Sequence, residues 1–348
     1  MDKISSKKIR DNKVDIIKAF AIILVVIGHS IQYGSGAACF SELQFFDNKC
    51  FKVIYSFHMP LFMLISGYLF AYSIDKYTWN NNIIKRIKTL FVPIIVWSFL
   101  TYIVNCYLNN EKSIISIKDY LHTAVYNLWF LWAVLICSII VIIVNHFLND
   151  CLYIYILGLI LTFIIPDSYN LHVYKYVYPF FVLGYFFNKY EWKKLFYKLY
   201  NNLFTKCLCT IGYLVLLAFY RKDYYIYISG YCIIRDGPLL QLWRNVYRFA
   251  IGLFGSIVAI YIIIFLIKYI PKSVEKILIY IGKNTMGIYI ISGYFFEYIL
   301  LRITNNFHGV NYFYTILEAM CAIIVSLVLI RFIKLQKTMN AIMLGGRD

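Results

Sequence analysis

About ten stretches of this chain are long and apolar enough to cross a bilayer, and that pattern restricts what the chain can fold into. They run roughly Val14–Tyr33, Val53–Tyr72, Ile84–Cys106, Leu121–Phe147, Cys151–Ile165, Val173–Phe187, Leu203–Tyr220, Arg248–Lys268, Ile277–Leu301 and Tyr312–Ile333. The fifth and sixth are short. Lipid offers no hydrogen-bond partners, so backbone crossing it must be helical or part of a closed barrel. None of the stretches alternates apolar and polar residues as a barrel strand does. The expectation is therefore an all-α polytopic membrane protein, one membrane-embedded domain over residues 1–348.

Charge supports that reading and sets the orientation. Only 15% of the residues are charged and 61% are apolar, where soluble domains carry about 25% charged residues. A net charge of +17 would suggest nucleic acid if it formed a patch on a soluble fold. Here the basic residues collect in alternate connections instead, and no nucleic-acid partner is expected. Lys3, Lys7, Lys8, Arg10 and Lys13 begin the basic set. Lys76, Lys85, Arg86 and Lys88 follow, then Lys189 to Lys198, Lys268 to Lys283, and Arg331 to Arg347. By the positive-inside rule these connections face the cytoplasm. With an even number of spans, both termini (1–13 and 334–348) are cytoplasmic as well. The expected location is a bacterial inner membrane, multi-pass. The first apolar segment is long enough to span and many similar ones follow, so it reads as a retained helix and not as a cleaved signal.

Nine cysteines show neither a CxxC pair nor Cys/His spacing suited to zinc, so no metal is expected. Cys39 and Cys50 share the first outer loop, where a disulfide is conceivable but not fixed by sequence. The longest connection, Arg221 to Tyr247, mixes Arg, Lys and Asp with Tyr, Trp and Gly. It reads either as a folded loop that contacts a polar ligand, or as a solvated loop with interfacial aromatic anchors.

Two apolar segments each enclose a histidine: His29 in the first and His58 in the second. An ionisable group inside a membrane-length run usually faces a protein interior or aqueous cavity and marks function. If the two segments pair antiparallel, both histidines lie one to two turns from the connecting loop and share a depth. Lys18 precedes His29 by about 16 Å along a helix axis, at 1.5 Å per residue, which puts it near the opposite face.

The motifs now assembled resemble the acyltransferase-3 family of integral-membrane O-acyltransferases. Asp15, Lys18 and Gly28-His29-Ser30 stand where that family has acidic, basic and histidine positions. Many members carry arginine where this chain has Lys18, a change seen also in the branch resembling fucose and glucosamine acetylases. Phe57-His58-Met59-Pro60-Leu61-Phe62 with Ser66-Gly67-Tyr68 is similar to the second motif, and Lys85-Arg86 with Pro93 and Trp97 to the third. Asn127 to Leu131, Pro179 to Tyr185 and Gly282 to Tyr289 resemble the later ones, in order. The last of these often ends in a histidine, where this chain has Ser292.

The resemblance implies transfer of an acetyl group from cytoplasmic acetyl-CoA to a sugar hydroxyl of a surface glycan, exopolysaccharide or lipid-linked sugar. Such a transfer needs a base near neutral pKa, and histidine fits. His29 is the expected base. His58 is a second base, an orienter of His29 or a substrate contact. A core histidine bonded between helices would look the same in sequence.

Lys18 and Asp15, with Lys85 and Arg86, are candidate contacts to coenzyme A, although a snorkelling lysine and positive-inside charge explain them equally well. Trp129, Glu297, Arg244 and Arg248 are candidate acceptor contacts. Glu297 and the neighbouring Arg302 are intramembrane charges, and the arginines flank an outer helix start where they suit phosphates or a plain interfacial anchor. Ser66 reads as a packing residue rather than a nucleophile. The rival expectations are a flippase for a lipid-linked sugar and a non-catalytic sensor on the same fold. Oligomeric state is not legible.

Overall fold

A computed structural model describes residues 12–34, 44–108, 116–190, 198, 201–300 and 312–346. Among them there is no strand. Thirteen helices are named here. They are α1 (Asn12–Gly34), α2 (Lys49–Ile74), α3 (Trp79–Leu108), α4 (Ile117–Tyr126), α5 (Trp129–Leu148), α6 (Leu152–Ile164) and α7 (Leu171–Lys189). After these come α8 (Leu203–Ala218), α9 (Pro238–Ile267), α10 (Lys272–Lys283), α11 (Thr285–Leu300), α12 (Tyr312–Leu335) and α13 (Lys337–Met343). Six of them, α1, α2, α3, α5, α9 and α12, are long and apolar enough to cross a membrane. Each of the ten expected segments contains a helix. Cys39, Arg302 and residues 1–11 and 347–348 lie outside the described residues.

Three segments differ from expectation, each for a local reason. Leu121–Phe147 is two helices, because Leu128 adopts a left-handed backbone (φ 51°) between α4 and α5. A β-carbon makes that conformation costly, and such strain collects at functional sites. Ile277–Leu301 breaks at Asn284, whose side chain donates back to the Tyr280 carbonyl. The eighth segment begins ten residues early, at Pro238. Gly237 turns the chain at φ 99° and proline then opens the helix at a position needing no N–H. Gln241 and Asn245, polar residues that read as loop, sit on the buried face of that helix.

The helices α1 and α2 form the centre. Tyr55 packs on Gly28 and donates to the Gln32 side chain (3.4 Å), and Lys18 lies at the level of Ser73 while Gln32 lies at that of Phe51, so the two run antiparallel. Around α1 stand α10, α11 and α12; around α2 stand α7, α9 and α5. The tightest crossing is α2 on α7. A β-carbon on Gly67 would strike the Phe181 carbonyl, and one on Gly184 the Leu64 carbonyl. Both obstacles are backbone, so neither can step aside. Gly184→Ala should cost about 1–3 kcal/mol through overpacking, read as a lowered thermal midpoint of the detergent-solubilised protein against Gly158→Ala, whose added carbon meets a tyrosine side chain.

At the basic end of the bundle, Lys189 of α7 bonds both Asp150 (2.7 Å) and Asp75 (3.4 Å). Burial would raise the Asp150 carboxyl, but Lys189, Asn145, Tyr185 and Tyr155 donate to it and hold it below its ordinary value. The opposite end is rich in tyrosine and carries the folded 221–237 segment.

Candidate active site

Two cavities enter the bundle, one from each end. The basic-end cavity, about 230 Å³, lies between α1, α2, α3, α5 and α11. Lys18 and Arg86 line it with the apolar side chains of Ile22, Val25, Leu90 and Val134. Lys18 pairs with the buried Asp15 at 3.3 Å. Arg86 donates to Ser73 Oγ (3.0 Å) and lies over the Phe70 ring, which ties α3 to α2 at the cavity wall. Lys85, the adjacent residue, turns away and sits 4.4 Å above the Tyr77 ring. Ser66 also lines this cavity.

The tyrosine-rich-end cavity, about 390 Å³, holds His29, Glu297 and Trp129 among tyrosines and amides. His29 is half-buried, edge-on to Tyr33 and Phe296, and its Nδ1 has no hydrogen-bond partner. Asn127 is aimed here by the left-handed Leu128, and its amide donates to Thr101 Oγ1 (2.7 Å). Thr101 and Tyr294 are hydrogen-bonded in turn. Glu297 follows on α11, exposed into the cavity, and makes no ion pair among the described residues.

Between the two lies a small space of about 20 Å³ with His58 on its wall. The His58 ring is 4% exposed and its Nδ1 sits 2.8 Å from the Ile54 carbonyl. A carbonyl can only accept, so Nδ1 carries the hydrogen and Nε2 is left as an acceptor. Met59 lines this space and the basic-end cavity, while Trp129, Tyr55 and Tyr227 line it and the tyrosine-rich-end cavity. Tyr289 is a wall of both large cavities.

The remaining sequence candidates are placed elsewhere. Arg248 is 2% exposed and reaches neither cavity. Its Nε donates to the Tyr224 carbonyl (2.7 Å) and Nη1 to the Gly230 carbonyl (2.6 Å) and Asn245 Oδ1 (2.7 Å). Its Nη2 serves the Asp223 and Tyr225 carbonyls and the Ser229 hydroxyl. The guanidinium is saturated by the loop it anchors. Arg244 is bound to Asp236 (2.5 Å) and lies near Asp223 and Gln241, outside the cavities. Ser292, standing where relatives of the motif have histidine, is buried with its hydroxyl turned to the Tyr289 carbonyl.

Asp167, just before α7, fastens the same loop. It ion-pairs with Lys175 (2.5 Å) and accepts from the backbone N–H groups of Tyr231 and Cys232. Burial works against its charged form, yet these donors hold the carboxyl below its ordinary value. Sequence reasoning did not single out Tyr55, Tyr227, Tyr289 or Asn127 as cavity walls. Asn127 and Tyr289 do stand in the motifs quoted above, which was the available signal, while Tyr55 and Tyr227 stand in none.

The family model described as an acyltransferase domain matches residues 11–333, nearly the whole chain and every wall of both cavities. The chain belongs to the acyltransferase-3 family. It is a multi-pass membrane protein with an acyltransferase domain. Nodulation protein NolL of Mesorhizobium japonicum is 27% identical over 298 residues, covering 83% of this chain and 77% of that protein. Nodulation protein NolL of Sinorhizobium fredii is 32% identical over 181 residues, 51% of this chain and 49% of that protein. No solved structure matches.

Proposed function

We propose that this acyltransferase takes an acetyl group from acetyl-CoA at the basic end of the bundle and places it on a sugar hydroxyl at the other. The observation that carries the reading is the pairing of the two cavities. One has cations at a mostly apolar cleft, the other has an unpartnered imidazole nitrogen among tyrosines and amides, and they meet at Tyr289. In this reading the ten apolar segments span an inner membrane, with the basic end and both termini in the cytoplasm. The acceptor is a cell-surface, exopolysaccharide or lipid-linked sugar.

The roles follow from the geometry. Lys18 and Arg86 hold the phosphates of coenzyme A while its pantetheine arm follows the apolar wall toward Met59 and Tyr289. His29 takes the proton of the sugar hydroxyl as that oxygen bonds to the thioester carbonyl carbon. The carbon–sulfur bond then breaks, and the proton on His29 passes to the departing thiolate, leaving an acetyl ester and free coenzyme A. His58, buried with Nε2 as an acceptor, positions the junction. Removing one charge-assisted phosphate contact weakens binding about tenfold. Lys18→Gln should accordingly raise the KM for acetyl-CoA about tenfold with little change in kcat, and Lys18→Arg should restore it. Steady-state kinetics in lipid nanodiscs measure both.

The deciding experiment is mass spectrometry of surface glycans from a strain with the gene, without it, and with the gene restored. An acetyl ester that disappears and returns with the gene supports transfer and names the sugar. Unchanged acetylation with a changed glycan amount would replace this reading with transport.

A further inference from the structure

The cavity that holds His29 has a distinctive charge. Glu297 contributes a carboxyl group, and among the described residues no lysine or arginine lines the walls. Several basic residues on that end of the bundle are occupied with the protein itself. Lys222 pairs with Asp47 (2.8 Å), Lys175 with Asp167, Arg244 with Asp236, and Arg248 with loop carbonyls. Of the arginines that sequence alone marks as phosphate contacts, Arg248 is saturated by the protein and Arg244 is paired with Asp236, and neither lines the cavity. What remains facing the cavity is aromatic and amide surface, with Trp129, Tyr227, Asn127 and Asn170 among its walls. Aromatic faces take the apolar side of a sugar ring, and amides take its hydroxyls.

A phosphate or carboxylate entering this space would lose water without meeting a lysine or arginine among the described residues, and would approach Glu297 at close range. Both effects oppose it. A neutral sugar meets neither penalty, and an ammonium group gains the carboxylate. The volume, about 390 Å³, falls in the ordinary range for small-molecule sites.

Resting on the acyl-transfer reading above, we propose that this cavity is a charge-selective acceptor site. It admits a neutral or ammonium-bearing glycoside, excludes an anionic one, and has Glu297 as its specificity-determining residue. The acceptor is then presented with any lipid-linking phosphate held outside the cavity.

The test uses the full chain in lipid nanodiscs with acetyl-CoA and three glycosides of equal length, ending in N-acetylglucosamine, glucosamine or glucuronic acid. The first two should be acetylated with kcat/KM at least about a hundredfold above the glucuronide, the discrimination expected from a like charge without a partner. Glu297→Gln should shrink the glucosamine-to-glucuronide ratio about tenfold, and Glu297→Asp should preserve it. A glucuronide accepted as well as the neutral sugar overturns the proposal, as does a ratio untouched in an active Glu297→Gln protein.

Calorimetric binding of the three glycosides to the wild-type protein without donor decides the matter independently of turnover and of the variant's folding. Equal affinities overturn charge selection. Ranked affinities with no acetyl transfer to any glycoside would instead leave the charge-selective site standing and remove the acyl-transfer reading.

Discussion

Replacement of His29 by alanine is expected to lower acetyl transfer about 10²–10⁴-fold, the span a positioned general base contributes, without altering protein level. The expectation rests on how little else holds this imidazole. Its Nδ1 has no partner, and its neighbours are the edges and faces of Tyr33 and Phe296. A histidine retained for packing would usually be hydrogen-bonded, as His58 is to Ile54. His29→Ala therefore forfeits chemistry and little stability. Transfer measured against a thermal melt of the same preparation separates the two, and full transfer by a folded His29→Ala protein would remove the residue from the mechanism. His58→Ala should lose both activity and stability, because its ring is packed on Tyr55 and fills the junction.

Arg248→Met is expected to destabilise the protein by about 2–6 kcal/mol, the cost of leaving two buried acceptors without a donor. The substitution keeps most of the volume but removes the donor to the Tyr224 carbonyl and to Asn245 Oδ1, whereas the Gly230 and Tyr225 carbonyls keep donors from Gln241 and from their own turn. Arg248→Lys should rescue little, since an ammonium group cannot reproduce a fork of five donors. Protease sensitivity should appear first between Arg221 and Gly237, where the backbone depends on this guanidinium. Tyr227 belongs to that segment and lines the cavity, so acceptor binding should weaken along with the loop. An Arg248→Met protein as stable and as protease-resistant as wild type would show that the loop carries its own structure.

The difference between Arg248 and Lys18 shows where sequence is legible. Both are cations near helix ends in an apolar chain, and sequence treats them alike. Lys18 keeps a cavity beside it because its neighbours on α1, α2 and α3 leave a cleft at that level. Arg248 has none, because seventeen residues of loop fold back over it, and long-range folding of a loop leaves no periodic trace in sequence. The helices themselves were readable, since a bilayer imposes length and apolarity on each one separately. Their breaks at Leu128 and Asn284 were not. Each break is a single residue's backbone choice, which no periodicity announces. The tyrosines that shape the cavities were hidden for a compositional reason: with 34 in the chain, no one of them stands out.

The wall shared by Met59, Trp129 and Tyr289 also has an electrical consequence. With water filling the two cavities, a membrane potential would fall mainly across this thin partition and not over the full length of the helices. Carrying a unit charge through it would involve about 2.3 kcal/mol of work for every 100 mV. An acetyl group is neutral before and after transfer, and its passage performs no such work. The voltage of an energised cell would accordingly neither drive nor oppose the reaction, while the same partition would still block the ions that the voltage pushes.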